Sequence, residues 1–401
     1  MKARFIAMAA LAAFFTVTAT AQDNVQVKWY GFIRNYAHVD THELTNSTAD
    51  LFSYGPKDND NDNVTWHFTA ITSRLGVDVT GYKFKNMTAT AKIEADFYNG
   101  VSGVTGTAVF RLRQAYVTLG WKNAFGNPYS LKVGQTWHPM AADMPDVISL
   151  NTGAPFGPFA RTPLAQFDYS LDGGWSLTAA AVWQMQYTSA GPEGPSANYM
   201  KYSGIPEMYA GLSYVKGPVI VRAGFDFISI KPVQASKDRM NAMMPFFYAQ
   251  YKEGLFSAKF KTVLAQAGEH LNLNGGYGVA AGGGYTPTRN SSSWVSLSYG
   301  KDWQFVLFGG LSKNFGTVSP LEDASRFWFS KNSFSNMNTM YRLTPTIIRN
   351  LGKVQVALEY ERTSVEFGDK SKPMNLQKGL FDEGLHWVTN NRVQMMLKYS
   401  F

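Results

Sequence analysis

The connections between the apolar segments of this 401-residue chain alternate strictly in length, and this rhythm restricts the possible folds more than any single motif. Short turns rich in Gly, Asn, Asp and Lys, the residues of tight turns, lie at 83–86, 123–128, 171–174, 216–218, 252–254, 300–302 and 350–353. Longer polar stretches lie at 44–63, 100–107, 140–162, 188–206, 232–240, 272–290, 317–337 and 369–389. Seven short turns and eight long loops predict sixteen strands.

The segments between these connections have the two-residue period of β-strands. In the first segment Val27, Trp29 and Ile33 share one face, whereas Lys28 and Arg34 share the other. We find no convincing amphipathic helix and no composition shift that would mark a second domain. A water-soluble β-sandwich would show the same alternation, with one face in its core, so the period alone leaves that alternative open.

The first residues predict an export signal. Lys2 and Arg4 precede an apolar run at 5–15 that is too short to cross a bilayer, and small residues follow it. We therefore expect a secretory signal peptide at 1–21 and a barrel domain at 22–401. The sequence contains no cysteine, which excludes disulfides, thiol catalysis and cysteine-ligated zinc.

The chain ends on an amphipathic strand, NRVQMMLKYSF, with Tyr399 and Phe401 on its apolar face. Other aromatic residues recur beside the short turns, namely Trp29, Trp121, Tyr129, Trp175 and Trp303. An even strand number, short turns, long outer loops, aromatic girdles and an export signal are together typical of bacterial outer-membrane barrels. The sequence therefore predicts an all-β, transmembrane, antiparallel up-and-down β-barrel of 16 strands in the outer membrane of a Gram-negative cell.

A barrel also explains why the chain ends within a strand. Backbone groups in lipid have no water to bond, so the sheet must close, and we expect the last strand to pair with the first. Barrels of this class end on an aromatic strand that the barrel-assembly machinery reads. We assign that assembly signal to Phe401 and Tyr399.

Sixteen strands enclose an aqueous channel. The third outer loop, at 140–162, is long, rich in Pro and Gly, and carries Asp143 and Asp146. In sixteen-stranded porins the third loop folds inward and narrows the channel, so we expect a constriction loop here. The alternative is a loop that simply stands outside the barrel.

Four motifs in strands two to five carry a family resemblance. SRLGVDVTG, KIEADFYNG, FRLRQAYVTLGW and LKVGQTW run in order through 73–137. Together they resemble the pattern of the DcaP-like porins, which are Gram-negative outer-membrane channels. The resemblance implies a sixteen-stranded homotrimer that prefers anionic solutes such as carboxylates. Family members often carry a helical segment before the barrel, and here we do not expect one.

Basic residues cluster on the same four strands. Arg74, Lys92, Arg111, Arg113 and Lys132 occupy positions that pair across hairpins, and we interpret them, with Arg34 and Arg161, as pore-lining basic residues. The parity changes beyond Gln114, which predicts a β-bulge. Basic positions outnumber acidic positions on the inward faces, and this excess would favour anions. The alternative is an ion-pair network with Asp78, Glu94 and Asp96 that merely orders the wall.

The remaining patterns point away from other functions. The basic residues are spread singly, so we expect no nucleic-acid partner, and outer-membrane lipid and small polar or anionic solutes remain as partners. The histidines form no known nucleophilic arrangement, so we expect no enzyme, cofactor or metal. The segment KDNDNDN has alternate Asp58, Asp60 and Asp62 but lacks the glycine and glutamate of a calcium loop. A structural or adhesion barrel whose loops are the functional surface remains the alternative function.

Overall fold

The computed structural model describes residues 24–47, 51–97, 100–101, 104–329 and 334–401. The predicted signal peptide at 1–21 lies outside these residues. Within them, sixteen long strands form one antiparallel sheet that closes on itself. Their bounds are β1 Gln26–Asp40, β2 Arg74–Phe84, β3 Met87–Asp96, β4 Arg111–Lys122, β5 Pro128–Trp137, β6 Arg161–Ser170, β7 Trp175–Val182, β8 Glu207–Lys216, β9 Val219–Ile230, β10 Met240–Glu253, β11 Phe256–Gln266, β12 Tyr285–Gly300, β13 Trp303–Thr317, β14 Met337–Leu351, β15 Val354–Phe367 and β16 His386–Ser400. The predicted strand number and fold class are confirmed.

The barrel closes between the first and the last strand. The register of β1 against β16 runs from Phe32 opposite Ser400 to Asp40 opposite Arg392. The Phe401 backbone N–H donates to the Gly31 carbonyl at 3.1 Å, and the Gly31 N–H donates back to Phe401 at 3.3 Å. Closure removes the unpaired edge that a terminal strand would otherwise expose.

The two faces of the wall differ as the strand period predicts. Outward side chains such as Val27, Trp29 and Ile33 are about half exposed, whereas the inward Tyr36 and Asp40 are buried. The apolar outward face is therefore suited to contact lipid, while the inward face carries the charged residues. Aromatic rings meet near the short turns, where Trp121 stacks on Tyr129 and Trp175 packs on Tyr214.

The long connections form loops L1 to L8 at one end of the barrel, and several contain short elements. A strand at Thr65–Thr69 extends β2 along β1. L1 forms a hairpin of Leu44–Ser47 and Phe52–Pro56, and L2 pairs Gly100–Val101 with Val104–Ala108. L6 and L7 pair through Gly276–Val279 and Phe327–Phe329. Helix α1 spans Asn198–Ser203, and 3₁₀ turns lie at Pro139–Ala141, Asp172–Gly174, Gly268–Leu271 and Ala324–Arg326.

None of the helices in the described part of the chain is both long and apolar enough to cross a membrane.

The predicted β-bulge is present, one residue earlier than expected. Glu94 on β3 pairs with Gln114, and the next residue, Ala95, pairs with Leu112. Arg113 is therefore the extra residue on β4. Because the bulge resets the strand parity, Arg111, Arg113 and Gln114 all bond to inward carboxylates of β3.

Part of the lumen is filled by an apolar cluster that belongs to the loops. Phe52 and Tyr54 of L1, Phe156 of L3 and Phe334 of L7 pack against wall residues such as Phe308. Sequence reasoning predicted that L3 enters the barrel but missed the entry of L1. Phe52 and Tyr54 carried no recognisable signal because their partners come from loops far apart in sequence.

Candidate functional site

L3, residues 138–160, lies inside the barrel and reaches the opposite wall. The Tyr36 hydroxyl on β1 donates to the Ile148 carbonyl at 2.7 Å. The Glu359 carboxylate on β15 accepts the backbone N–H groups of Ile148 at 2.8 Å and Ser149 at 3.0 Å. These contacts confirm the inward course of the loop, since both wall residues point into the barrel.

The two carboxylates assigned to the constriction loop are both paired with basic residues of the wall. Asp143 bonds to Arg222 on β9, and Asp146 bonds to Lys259 on β11 at 2.5 Å. Asp146 lines the cavity beside L3, whereas Asp143 is placed outside its lining. Because each charge is neutralised locally, these carboxylates oppose an anion less than their sequence positions suggest.

Two buried arginines fasten the loops to the wall. Arg342 on β14 donates to the carbonyl groups of Tyr54 in L1 at 3.0 Å and Ala154 in L3 at 2.9 Å. Arg392 on β16 donates to the Leu51 carbonyl of L1 at 2.9 Å. Guanidinium groups satisfy loop carbonyls that water would otherwise have to reach, so L1 and L3 are docked on polar wall residues.

Beside L3 lies a cavity of about 640 Å³ that both basic and apolar side chains line. Its basic lining residues, among those the structure describes, are Arg34, Arg74, Arg111, Arg113, Arg161 and Lys398. Its apolar lining includes Phe52, Trp137, Ile148, Phe159 and Met396. Five of the seven basic residues selected from the sequence meet at this cavity, and Lys398 joins them. Lys398 also has the inward parity, and closure of the barrel places it on β16 opposite Arg34 of β1.

Three of the six basic lining residues, which together we call the basic wall, also form the ion-pair network with Glu94 and Asp96. Arg111 makes a bidentate contact with Asp96, at 3.0 Å from Nε and 2.9 Å from Nη2. Arg113 bridges Glu94 and Asp96, each at 2.8 Å, and Arg74 contacts Glu94 at 3.4 Å. Three arginines thus share two buried carboxylates. Such pairing fixes the guanidinium planes while leaving positive charge in excess.

Arg161 is the first residue of β6 and belongs to the wall rather than to L3, which corrects the predicted loop end. Its guanidinium lies over the rings of Trp137 at 4.7 Å and Phe159 at 5.7 Å. Its Nη1 atom has no hydrogen-bond partner among the described residues. The stacked, cavity-lining guanidinium can therefore accept an anionic ligand without giving up an existing bond.

Lys92 and Lys132, the other two selected residues, do not line this cavity. Lys92 is held by Asp78 at 2.8 Å and by the Tyr30 hydroxyl at 3.1 Å. Lys132 lies over the ring of Tyr116 at 5.8 Å. Both lie on the same strands but nearer the short turns, because strand parity fixes the face of a residue and not its depth in the barrel.

Tyr399 and Phe401, the residues assigned to assembly, lie on the outer face where the barrel closes. Tyr399 pairs with Ile33 of β1. The side chains of Tyr399 and Phe401 are both about half exposed. The Phe401 ring covers Gly31 so closely that a Cβ added there would lie 2.6 Å from the ring. The absence of a side chain at Gly31 therefore leaves the space that the Phe401 ring occupies.

A second group of side chains could hold a metal ion. His138, Glu207 and Asp226 converge in the interior, and His270 approaches the same carboxylates. Sequence reasoning missed this group because its members are far apart along the chain.

Comparison with known proteins agrees with this geometry. Residues 11–153 match the family model of the DcaP outer membrane protein. The fold is similar to the crystal structure of the outer membrane channel DcaP of Acinetobacter baumannii, with a TM-score of 0.71, 19% identity, and coverage of 94% of this chain and 97% of that chain. The first part of the chain thus resembles the DcaP outer membrane protein, and the whole described barrel shares the fold of outer-membrane porins. No curated protein matches the chain.

The barrel is also similar to more distant outer-membrane proteins. An anion-selective porin from Comamonas acidovorans gives a TM-score of 0.57 and 13% identity, over 94% of this chain and 100% of that chain. The trimer form of OmpT, an outer membrane protein of Vibrio cholerae, gives a TM-score of 0.52 and 12% identity, over 94% of this chain and 100% of that chain. At these identities the likeness establishes the fold alone.

Proposed function

We propose that the chain is a DcaP-like porin, a channel rather than an enzyme, and that it lets small hydrophilic solutes diffuse passively across the outer membrane with a preference for anions such as carboxylates. The basic wall of the cavity beside L3 is the observation that carries this proposal. The preference of a channel follows the excess charge on its lining. The adjacent apolar surface would accommodate the carbon skeleton of a solute.

The charges around the cavity are strongly unbalanced. Among the described residues, six cations line it, and they face the two carboxylates Glu94 and Asp96, which leaves four positive charges in excess. Asp146 also lines the cavity, but Lys259 neutralises it. A sphere of this volume has a radius of roughly 5 Å, which is shorter than the Debye length of about 8 Å at physiological salt. A solute in the cavity would therefore feel the basic residues together.

Zero-current potentials across a KCl gradient test the anion preference. We expect the wild-type channel to favour chloride several-fold, since about 1 kcal/mol of net preference already gives that ratio. Replacing Arg34 and Lys398 together with Gln should move the potential toward zero. These two residues suit the test better than Arg113, whose loss would leave buried carboxylates unpaired.

A matched double variant controls for net charge. Lys301 and Lys353 are exposed at the short-turn end of the barrel, and replacing both with Gln removes the same charge far from the cavity. We expect this control to keep the wild-type potential. A wild-type channel that favours potassium, or equal shifts in both double variants, would contradict the proposed role of the basic wall.

Solute flux separates the channel from a purely structural or adhesion barrel. Proteoliposomes that contain the purified porin should swell in isotonic solutions of small sugars and carboxylates, and the carboxylates should enter faster. A barrel whose only function lies in its loops would give no flux. Equal rates for neutral and anionic solutes of the same size would support the channel but contradict the proposed anion preference.

The remaining partners are also proposals. We expect a homotrimer, and the trimer form of OmpT, an outer membrane protein with a similar fold, supports this expectation. Native mass spectrometry in detergent should then give three chains per particle. The apolar outer face would contact outer-membrane lipid, and the barrel-assembly machinery would read Phe401 and Tyr399. N-terminal sequencing of the protein from outer membranes should begin at Gln22, after removal of residues 1–21.

A further inference from the structure

Four buried side chains meet in the barrel interior at the base of L3 and L6. His138 is the first residue of L3, and His270 lies in the 3₁₀ turn of L6. Glu207 begins β8, and Asp226 lies on β9 opposite Tyr209. All four are at most 1% exposed. We call them the His–carboxylate cluster.

The carboxylates lie between the two imidazole rings. His138 Nε2 is 2.9 Å from Glu207 Oε1 and 3.5 Å from Asp226 Oδ1. His270 Nε2 is 3.6 Å from Glu207 Oε2 and 3.5 Å from Asp226 Oδ2. Each ring nitrogen therefore faces one oxygen of each carboxylate.

These six atoms contact only one another. The two Nε2 atoms and the four carboxylate oxygens are joined by ion-pair contacts of 2.9–3.6 Å, and no other group in the described structure hydrogen-bonds to them. Burying carboxylates with so few partners is costly. A cation bound between them would supply the missing interactions.

We propose that the His–carboxylate cluster binds one Zn²⁺ ion. Zn²⁺ prefers imidazole nitrogen and carboxylate oxygen at bonds of about 2.0–2.2 Å. One ligand atom each of His138, Glu207 and Asp226 lies within 4.8 Å of the others, so these three side chains are the ligands that we assign to the ion. His270 faces the other oxygen of each carboxylate. Two carboxylates and two neutral imidazoles would also balance the charge of a divalent cation, which matters because burial makes an unbalanced charge costly.

The ion would act as a structural tie. It would join the start of L3 to the wall formed by β8 and β9, while His270 of L6 contacts the other oxygen of each carboxylate. Since the cluster is at most 1% exposed, a solute has no access to it, which favours a structural rather than a catalytic ion. Binding has one local cost: a metal on Nε2 of His138 requires the proton on Nδ1, so the Met140 N–H that donates to Nδ1 at 3.1 Å must find another acceptor.

Metal analysis of the purified full-length porin tests the proposal. Protein extracted from outer membranes in detergent without chelator should carry one zinc per chain by plasma mass spectrometry. After chelation, titration with Co²⁺ should give the visible absorption of a four-coordinate site. Glu207→Gln should weaken binding by at least about 100-fold, since even changes outside the first ligand shell cost 10–100-fold. His138→Gln carries the comparison if Glu207→Gln fails to give a heat-modifiable barrel.

Glu366→Gln is the matched control, because it makes the same chemical change at a wall carboxylate that contacts Thr339 and Lys313 and lies outside both the cluster and L3. It should retain the ion. No stoichiometric zinc or cobalt in the wild type would overturn the proposal and leave the cluster as two imidazolium–carboxylate pairs. Equal binding by wild type and Glu207→Gln would also overturn it, since the ion would then sit elsewhere.

Discussion

Replacing Glu359 with Gln is expected to loosen L3 without opening the barrel wall. The Glu359 carboxylate accepts two backbone N–H groups of L3, from Ile148 and Ser149, and the Thr346 hydroxyl at 2.7 Å. A glutamine amide has one accepting oxygen and a nitrogen that only donates. At least one backbone N–H of the loop therefore loses its partner, while the β14–β15–β16 ladder keeps its own backbone bonds.

The size of the effect follows from these contacts. A hydrogen bond to a charged group contributes about 1.5–3 kcal/mol, so the two backbone bonds contribute roughly 3–6 kcal/mol to docking of the loop. A loss of about 3 kcal/mol lowers the ratio of docked to undocked loop by roughly 100-fold, since each 1.4 kcal/mol is a factor of ten. The undocked loop should then be frequent enough to change the current through an open channel.

Single-channel recording in planar bilayers measures this change. We expect Glu359→Gln to raise the mean conductance and the current fluctuations of the open channel. Glu366→Gln makes the same chemical change on the same strand, at a carboxylate that contacts Thr339 at 2.9 Å and Lys313 at 3.9 Å instead of L3. That control should resemble the wild type. Wild-type conductance and fluctuations in Glu359→Gln would refute the reasoning that Glu359 holds a constricting loop.

Three further predictions concern assembly and charge. Deleting Phe401 removes the ring that covers Gly31 and both backbone bonds to that residue, so the heat-modifiable barrel in outer-membrane fractions should fall; an undiminished yield would contradict the assembly role. Gly31→Ala places a Cβ 2.6 Å from the Arg74 carbonyl oxygen as well as from the terminal ring. It should destabilise the folded barrel by about 1–3 kcal/mol in urea titrations. An unchanged unfolding midpoint would show that the contact between β1 and the chain end accommodates the added methyl group. Asp143→Asn releases Arg222 from its ion pair and should shift the zero-current potential further toward chloride; no shift would place that pair outside the ion path.

The sequence alone determined the architecture of the barrel. A two-residue period reports which face each side chain takes, and turn residues report where the chain reverses, so both features are local and can be counted. The position of Phe401 was predicted in the same way, because the amphipathic period of the last strand places its ring on the outer face. The bulge near Gln114 was also readable, since one extra residue reverses the parity of everything beyond it.

Only the tertiary structure decided what each inward residue does. Parity placed Lys92 and Arg113 on the same face, but depth in the barrel separates them, because the slope of the strands and the path of L3 set which residues meet at the cavity. The neutralisation of Asp146 by Lys259 joins residues 113 positions apart. Likewise, the His–carboxylate cluster unites two loops and two strands. Contacts of this kind depend on closure of the whole sheet, and no local pattern in the sequence records them.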